Sequence, residues 1–169
     1  MAEFTQFVLT LQFRANIVTD YAMLDTLDQK IVAALVQDGR RPFVRIAAEL
    51  GVSEASIRQR VARLTADGVM HIMAVTNPLK LGYDVVCMLG LNVEKGELEA
   101  VGTAIADFAE VTYLVACTGR YDYLVEITCR DNRHLLDFLG EQLGQVPGLR
   151  YSESFGYLAV LKESYRTSA

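Results

Sequence analysis

FVRIAAELGVSEASIRQRVARLTAD, residues 43–67, is the stretch that decides how this chain folds. Phe43, Ile46, Ala47 and Leu50 recur at helical spacing, Gly51 interrupts them, and Ile57, Val61 and Leu64 open a second apolar stripe at i, i+4 and i+7. Two short helices joined by a tight turn are predicted. Gly51 stands where a left-handed residue would end the first helix, and Ser53 where a side-chain oxygen would cap the second. Small Ala47, Gly51 four residues on and Ile57 six further give the close crossing that a helix-turn-helix requires.

With Ile57, Val61 and Leu64 turned inward, a helical wheel turns Ala55, Ser56, Gln59 and Arg63 outward, and Arg58 and Arg60 flank that face. Short polar residues in the first turns with arginines behind them suit a helix laid in the major groove. Base edges meet the first turns and guanidinium groups meet phosphates. The candidate DNA-binding residues are therefore Ser53, Ala55, Ser56, Gln59 and Arg63, with Ser56, Gln59 and Arg63 facing the major groove, and Arg40, Arg45 and Arg58 on phosphates. Arg60, beside the apolar stripe, is expected in a partly buried structural ion pair. The plainer alternative is a helical hairpin whose arginines only solvate a face.

A chain of 169 residues makes one domain or two small ones and buries roughly two-thirds of its unfolded surface, so its core needs no staples. Cys87, Cys117 and Cys129 are odd in number, lie in apolar runs and form no C-x-x-C pair, so buried thiols are expected, without disulfide or zinc. There is no run of about 18 apolar residues, and the N-terminus lacks a basic n-region and an A-x-A cleavage site; the expected location is the cytoplasm. The net charge of −5 is unevenly spread: residues 24–77 hold seven Lys or Arg against six Asp or Glu, and residues 78–169 hold eight against thirteen. A local basic face on an acidic protein results, and it suits nucleic acid where the sum does not.

Residues 1–23 alternate Phe7, Leu9, Leu11 and Phe13 with Val8, Thr10 and Gln12, which predicts a strand without an adjacent partner. They are either an added arm of undetermined role or a lead-in before a natural start at Met23. A helix follows over 24–37, with Asp25 as cap, Asp28 favouring its N-terminus and Leu27, Ile31, Ala34 and Leu35 inward. Asp38 and Gly39 end it, and Pro42 suits the start of the next. Beyond Gly68, a C-cap candidate, residues 69–77 are predicted as a small β-wing or a strand leading away, with no Lys or Arg from Val69 to Leu79. LKLGY, 79–83, is predicted as a hinge in which Gly82 supplies flexibility.

From residue 85 the rhythm is strand 85–93, helix 97–108, strand 111–119, strand 121–129, helix 133–143 and strand 149–161, hence βαββαβ. Asn132 is the expected cap of the second helix, Pro147-Gly148 turns into the last strand, and Gly119-Arg120-Tyr121-Asp122 makes the central hairpin. The expected fold is α+β, a winged helix-turn-helix domain over 24–77 joined to a ferredoxin-like βαββαβ domain over 78–169. Helices on one face leave the other needing cover, most economically from a second copy.

Over about residues 24–162 the chain resembles the Lrp/AsnC family of leucine-responsive and feast/famine regulators. The resemblance rests on Leu24-Asp25 with Asp28 and Ile31, Asp38-Gly39-Arg40, Leu50-Gly51-Val52-Ser53, Arg60-Val61 with Arg63-Leu64, and Gly68-Val69. It continues in Leu81-Gly82, Gly119 with Tyr121-Asp122, and Pro147-Gly148 followed by Ser152-Glu153-Ser154. It implies a winged helix-turn-helix on a ligand-binding regulatory domain, dimers built by sheet packing, and tetramers, octamers or larger rings. Three features depart from the family: the length of residues 1–23, His71-Ile72 where a glycine is frequent in the wing, and serines for threonines at 152 and 154.

The function implied is a sequence-specific, DNA-binding transcriptional regulator responding to an amino acid or similar small metabolite. The resemblance places the 119–122 hairpin near the effector. A zwitterion needs an acceptor for its ammonium, which Asp122 could be, and donors for its carboxylate, which the Gly119 backbone, Ser152 and Ser154 could be, with Tyr121 packing beside them. As a bare hairpin the same residues make only a turn. Alternatives are an effector-independent DNA-packaging protein, or a haem-pathway decarboxylase on the same two-domain plan, for which His71 and His134 are the only histidines. With no G-x-S-x-G, no Walker loop and no H-x-x-x-H, and with Glu94, Glu97 and Glu99 fitting a solvated helix start, neither enzyme activity nor a resident cofactor is expected.

Overall fold

A computed structural model describes residues 24–162, which divide into two compact units, 24–75 and 76–162. The predicted strand at Phe7–Phe13 lies outside the described residues. The first unit holds α1 (Thr26–Gln37), α2 (Phe43–Leu50) and α3 (Glu54–Ala66). Its core is Ile31, Leu35, Ile46, Ala47, Ile57, Val61 and Leu64, the residues the helical periodicity turns inward. Asp25 caps α1 in a capping box closed by Asp28. Gly51 ends α2 at φ 69°, and the Ser53 hydroxyl caps α3 by accepting from the Ser56 N–H at 3.2 Å.

Two sequence expectations about the next segment are corrected. Gly68 ends α3 at φ 70°, with the Val69 N–H donating to the Leu64 carbonyl at 2.9 Å, but residues 70–77 have no ladder partner among the described residues and are in neither wing nor strand. A two-stranded wing needs a turn residue that tolerates positive φ, and no glycine stands between Gly68 and Gly82. The stretch expected as a hinge holds a capped turn. Pro78–Leu81 forms one turn of 3-10 helix, with Asn77 Oδ1 accepting from the Leu79 N–H at 3.0 Å and Gly82 closing it at φ 85°.

The second unit runs β1 (Val85–Val93), α4 (Leu98–Ala106), β2 (Val111–Ala116), β3 (Tyr123–Cys129), α5 (Asn132–Asp137) and β4 (Leu149–Gly156). The strands form one antiparallel sheet in the order β2-β3-β1-β4, the ferredoxin-like plan. Leu89, Leu91, Val125, Ile127, Ile105 and Phe138 pack as its core between sheet and helices. Alternation along β1 sends Met88 and Gly90 to the opposite, open face, with their register partners Glu126 and Leu124 on β3 and Phe155 and Glu153 on β4.

Several boundaries differ from expectation, β2 ending at Ala116 and β3 beginning at Tyr123, each short of the hairpin. Asp131, not Asn132, caps α5, its Oδ1 accepting from the His134 N–H at 2.7 Å; a carboxylate at a helix N-terminus also meets the dipole. Beyond α5 the chain widens into a π turn over Phe138–Gln142 and tightens into Leu143–Gln145, which brings Phe138 and Leu143, five apart, both into the core. β4 stops at Gly156 rather than 161: the Tyr157 N–H reaches Val86 O at 3.2 Å, and beyond that bond β1, which begins at Val85, has a single residue left. Cys87 and Cys129 are buried, which raises both thiols, Cys129 to about 11. Cys117 is only half-buried, its thiol donating to Tyr121 O at 3.2 Å.

Candidate functional site

In the first unit the arginines separate by what they touch. Asp28 is 1% exposed and accepts from Arg60 Nη1 at 2.8 Å and Arg63 Nη2 at 2.6 Å, while Arg60 also reaches Asp25 at 2.6 Å. Burial alone would push the Asp28 carboxyl up, but Arg63, Arg60 and the Asp25 N–H together hold it below the usual carboxylate range. Asp25 is lowered too, by the Asp28 N–H and then by Arg60. Arg60 is thus the structural ion pair the sequence leads one to expect. Arg63 corrects expectation: its guanidinium is turned back onto Asp28 instead of standing open on the outward face. The signal was present in the sequence, since a buried acid three residues after a capping aspartate requires a cationic partner.

The other candidates lie nearer the surface. Ser53, Ala55 and Gln59 are exposed and Ser56 half-exposed. Arg58 bridges to Glu54 at 2.6 Å, i to i+4, and its guanidinium lies 5.6 Å from the centre of the Phe43 ring. Both contacts are surface contacts that a stronger anion could displace. Arg41, which sequence reasoning did not single out, pairs with Glu49 at 2.5 Å. Arg40 and Arg45 are exposed, and among the described residues no side-chain partner engages either guanidinium.

In the second unit the effector candidates do not converge within one chain. Gly119, at φ 125°, forms the exposed turn between β2 and β3. Asp122 is half-buried and anchors the hairpin to β1: its N–H donates to Leu91 O at 2.8 Å and its Oδ2 accepts from the Val93 N–H at 2.9 Å. Among the described residues no hydrogen bond engages its Oδ1. Tyr121 lies on the open sheet face and donates to Glu153, which sequence reasoning quoted but gave no role. Ser152 and Ser154 pair with Leu91 and Leu89 and so lie on the other face of β4, exposed. The expectation of one shared pocket is therefore corrected: Tyr121, which precedes β3, lies over Gly90 on the open face, while the β1–β4 register turns the two serines to the other.

The two histidines stand in different units. His71 is exposed in the segment that follows α3. His134 links elements of the second unit, its Nδ1 accepting from the Arg130 N–H at 3.2 Å and its Nε2 facing Glu110 at 2.9 Å. Among the described residues no group of three or more His, Cys, Asp or Glu could hold a metal ion, and no helix is long and apolar enough to cross a membrane.

Comparison with known proteins assigns both units. The AsnC-type helix-turn-helix domain matches residues 24–65, and the Lrp/AsnC ligand binding domain matches residues 86–167. The chain is 35% identical over 144 residues to an uncharacterized HTH-type transcriptional regulator of Pyrococcus furiosus, covering 85% of this chain and 97% of the relative. It is 36% identical over 122 residues to the HTH-type transcriptional regulator Ptr1 of Methanocaldococcus jannaschii, covering 72% and 82%. Among solved structures, AsnC of E. coli superposes with a TM-score of 0.75 at 25% identity, over 86% of this chain and 98% of that one. A transcriptional regulator of Neisseria meningitidis, in complex with L-Met, shares the fold with a TM-score of 0.74 at 21% identity, over 86% and 96%. A capped helix-turn-helix followed by a β2-β3-β1-β4 sheet, with both family domains in that order, makes this chain a member of the Lrp/AsnC family of transcriptional regulators.

Proposed function

We propose that the chain reads operator DNA through α3, responds to an amino acid or similar small metabolite through residues 78–169, and works in the cytoplasm as homodimers that assemble into tetramers, octamers or larger rings. It needs no cofactor and performs no catalysis. The observation that carries this reading is the division of labour among the arginines: Arg60 and Arg63 hold Asp28, whereas Arg40 and Arg45 keep open guanidinium groups. Ser53, Ala55, Ser56 and Gln59 occupy the first turns of α3, short enough to let it sink into a major groove. Arg40, Arg45 and Arg58, once Arg58 is released from Glu54, neutralise phosphates.

For the effector, the L-Met bound to the Neisseria regulator supports an amino acid. In this chain Asp122 Oδ1 would take the ammonium and the Gly119 backbone the carboxylate. Ser152 and Ser154 lie on the sheet face opposite Tyr121; in this reading they meet such a ligand from a second copy. Exposed Tyr113, Tyr151 and Phe155, with Tyr157, give the apolar surface that a dimer would cover.

The test is a binding series on duplexes carrying single base substitutions. Gln59→Ala should lose discrimination at one position, by roughly 1–3 kcal/mol, while keeping its affinity for random duplex. Wild type that binds random duplex as tightly as its own promoter region would overturn the sequence-specific reading and favour a packaging protein.

A further inference from the structure

Tyr121 leaves the hairpin and lies across the open sheet face at Gly90. A Cβ at Gly90 would stand 2.8 Å from three atoms of the Tyr121 ring, so a larger residue there would lift the ring from the sheet. Past Gly90, the Tyr121 hydroxyl donates to Glu153 Oε2 on β4, and Glu153 is the register partner of Gly90. Arg120 closes the group, its guanidinium 5.3 Å from the centre of the Tyr121 ring and its Nη2 3.2 Å from the same Oε2. The hairpin that enters β3 is thus strapped over β1 to the edge strand β4.

We propose that Tyr121 and Glu153 form a latch, seated on Gly90, that positions the 119–122 turn for its effector and transmits occupancy of that turn to the open sheet face. The inference rests on the reading of this turn as the effector hairpin. Thr118, Gly119 and Arg120 are exposed; the Asn92 amide donates to Arg120 O at 2.8 Å and the Cys117 thiol to Tyr121 O at 3.2 Å, and two further ties fix where the turn sits. One is Asp122, bonded to the β1 backbone at Leu91 and Val93 and held by the ladder itself. The other is the latch, a side-chain contact that can open without breaking a strand pair. A ligand that needs the turn in its latched position gains affinity from a closed latch. By reciprocity, covering the open face, which desolvates the latch and strengthens its charged hydrogen bond, raises that affinity further.

The experiment is a thermal-shift titration of the full chain with the standard protein amino acids tested singly, followed by calorimetry on each that responds. Tyr121→Phe and Glu153→Gln should each weaken binding of the responding amino acid about tenfold, within the usual range of coupling between sites, and leave the melting point without amino acid nearly unchanged. The double variant should bind no more weakly than either single one. Gly90→Ala, which keeps both polar groups but displaces the ring, should weaken binding similarly. Variants that bind with the wild-type midpoint would overturn the latch alone. Wild type that responds to no amino acid would overturn the effector reading and the latch with it.

Discussion

Asp28 on α1 and Arg63 on α3 form an ion pair of 2.6 Å in which the acid is 1% exposed and the arginine side chain 48% exposed. The buried partner has no escape to water, and the exposed one has. Such a pair fixes the helix that carries it more than it adds net stability, since removing one partner strands the other.

The sign of its pH dependence follows. The Asp28 and Asp25 carboxyls are depressed in the folded state, so the stability they contribute is complete above the unfolded aspartate value, about 3.9, and is lost as pH falls through their lower folded values. Acid should therefore melt the helical unit at a pH below 4, followed by far-UV circular dichroism. Asp28→Asn should lower the melting temperature at neutral pH and flatten the profile below pH 4. An unchanged acid limb in that variant would show that other carboxylates govern it.

The second unit should answer to alkali instead. Hydrogen bonding to Glu153 raises the Tyr121 phenol, and burial raises the Tyr123 and Tyr157 phenols, Tyr157 to about 12, with its bond to Glu126 adding to the effect. A raised folded-state value means stability fully present below the unfolded tyrosine value, about 10, and lost as pH rises through the folded values. Tyrosinate absorbance should rise in step with loss of near-UV circular dichroism between roughly pH 10 and 12. Tyr157→Phe should leave the fold intact at neutral pH and reduce the alkaline slope.

A packing test falls on Gly102 in α4. A Cβ there would collide with the Tyr123 hydroxyl, which donates to Leu98 O at 2.7 Å in the first turn of the same helix. Gly102→Ala should cost about 1–3 kcal/mol through overpacking, despite alanine's better helix propensity. Gly102→Ala combined with Tyr123→Phe should recover part of the loss, because the colliding oxygen is gone. Urea unfolding measures both.

How much was legible in the sequence depends on how local each signal was. Gly51, Ser53 and the Ile57, Val61, Leu64 stripe act within a few residues, and the helix-turn-helix is where they place it. Strand order followed from the βαββαβ rhythm. The pairing of Arg63 with Asp28, 35 residues away, is a tertiary choice that a wheel drawn on one helix does not contain. The split of Tyr121 from Ser152 and Ser154 needed the β1–β4 register, since one residue's slip would have moved both serines to the open face. The 70–77 segment looked strand-like because most of its residues are apolar, yet a strand requires a neighbour, and among the described residues it has none.

The sharpest separation of roles lies between Arg45 and Arg63. Arg45 is exposed on α2 with an open guanidinium, whereas Arg63 spends its charge on Asp28. Removing a phosphate contact releases one fewer counterion, so Arg45→Ala should weaken all duplexes alike and lower the slope of log K against log salt by about one per protomer engaged. Arg63→Ala should leave that slope near the wild-type value. Its effect should appear in the melting temperature, because Asp28 then keeps only Arg60 as a cationic partner. Fluorescence anisotropy at several salt concentrations, with melting curves on the same samples, reads both quantities. A reduced salt slope in Arg63→Ala with unchanged stability would mean that Arg63 leaves Asp28 for the phosphates when DNA binds, and the helix-fixing role argued for it would fall.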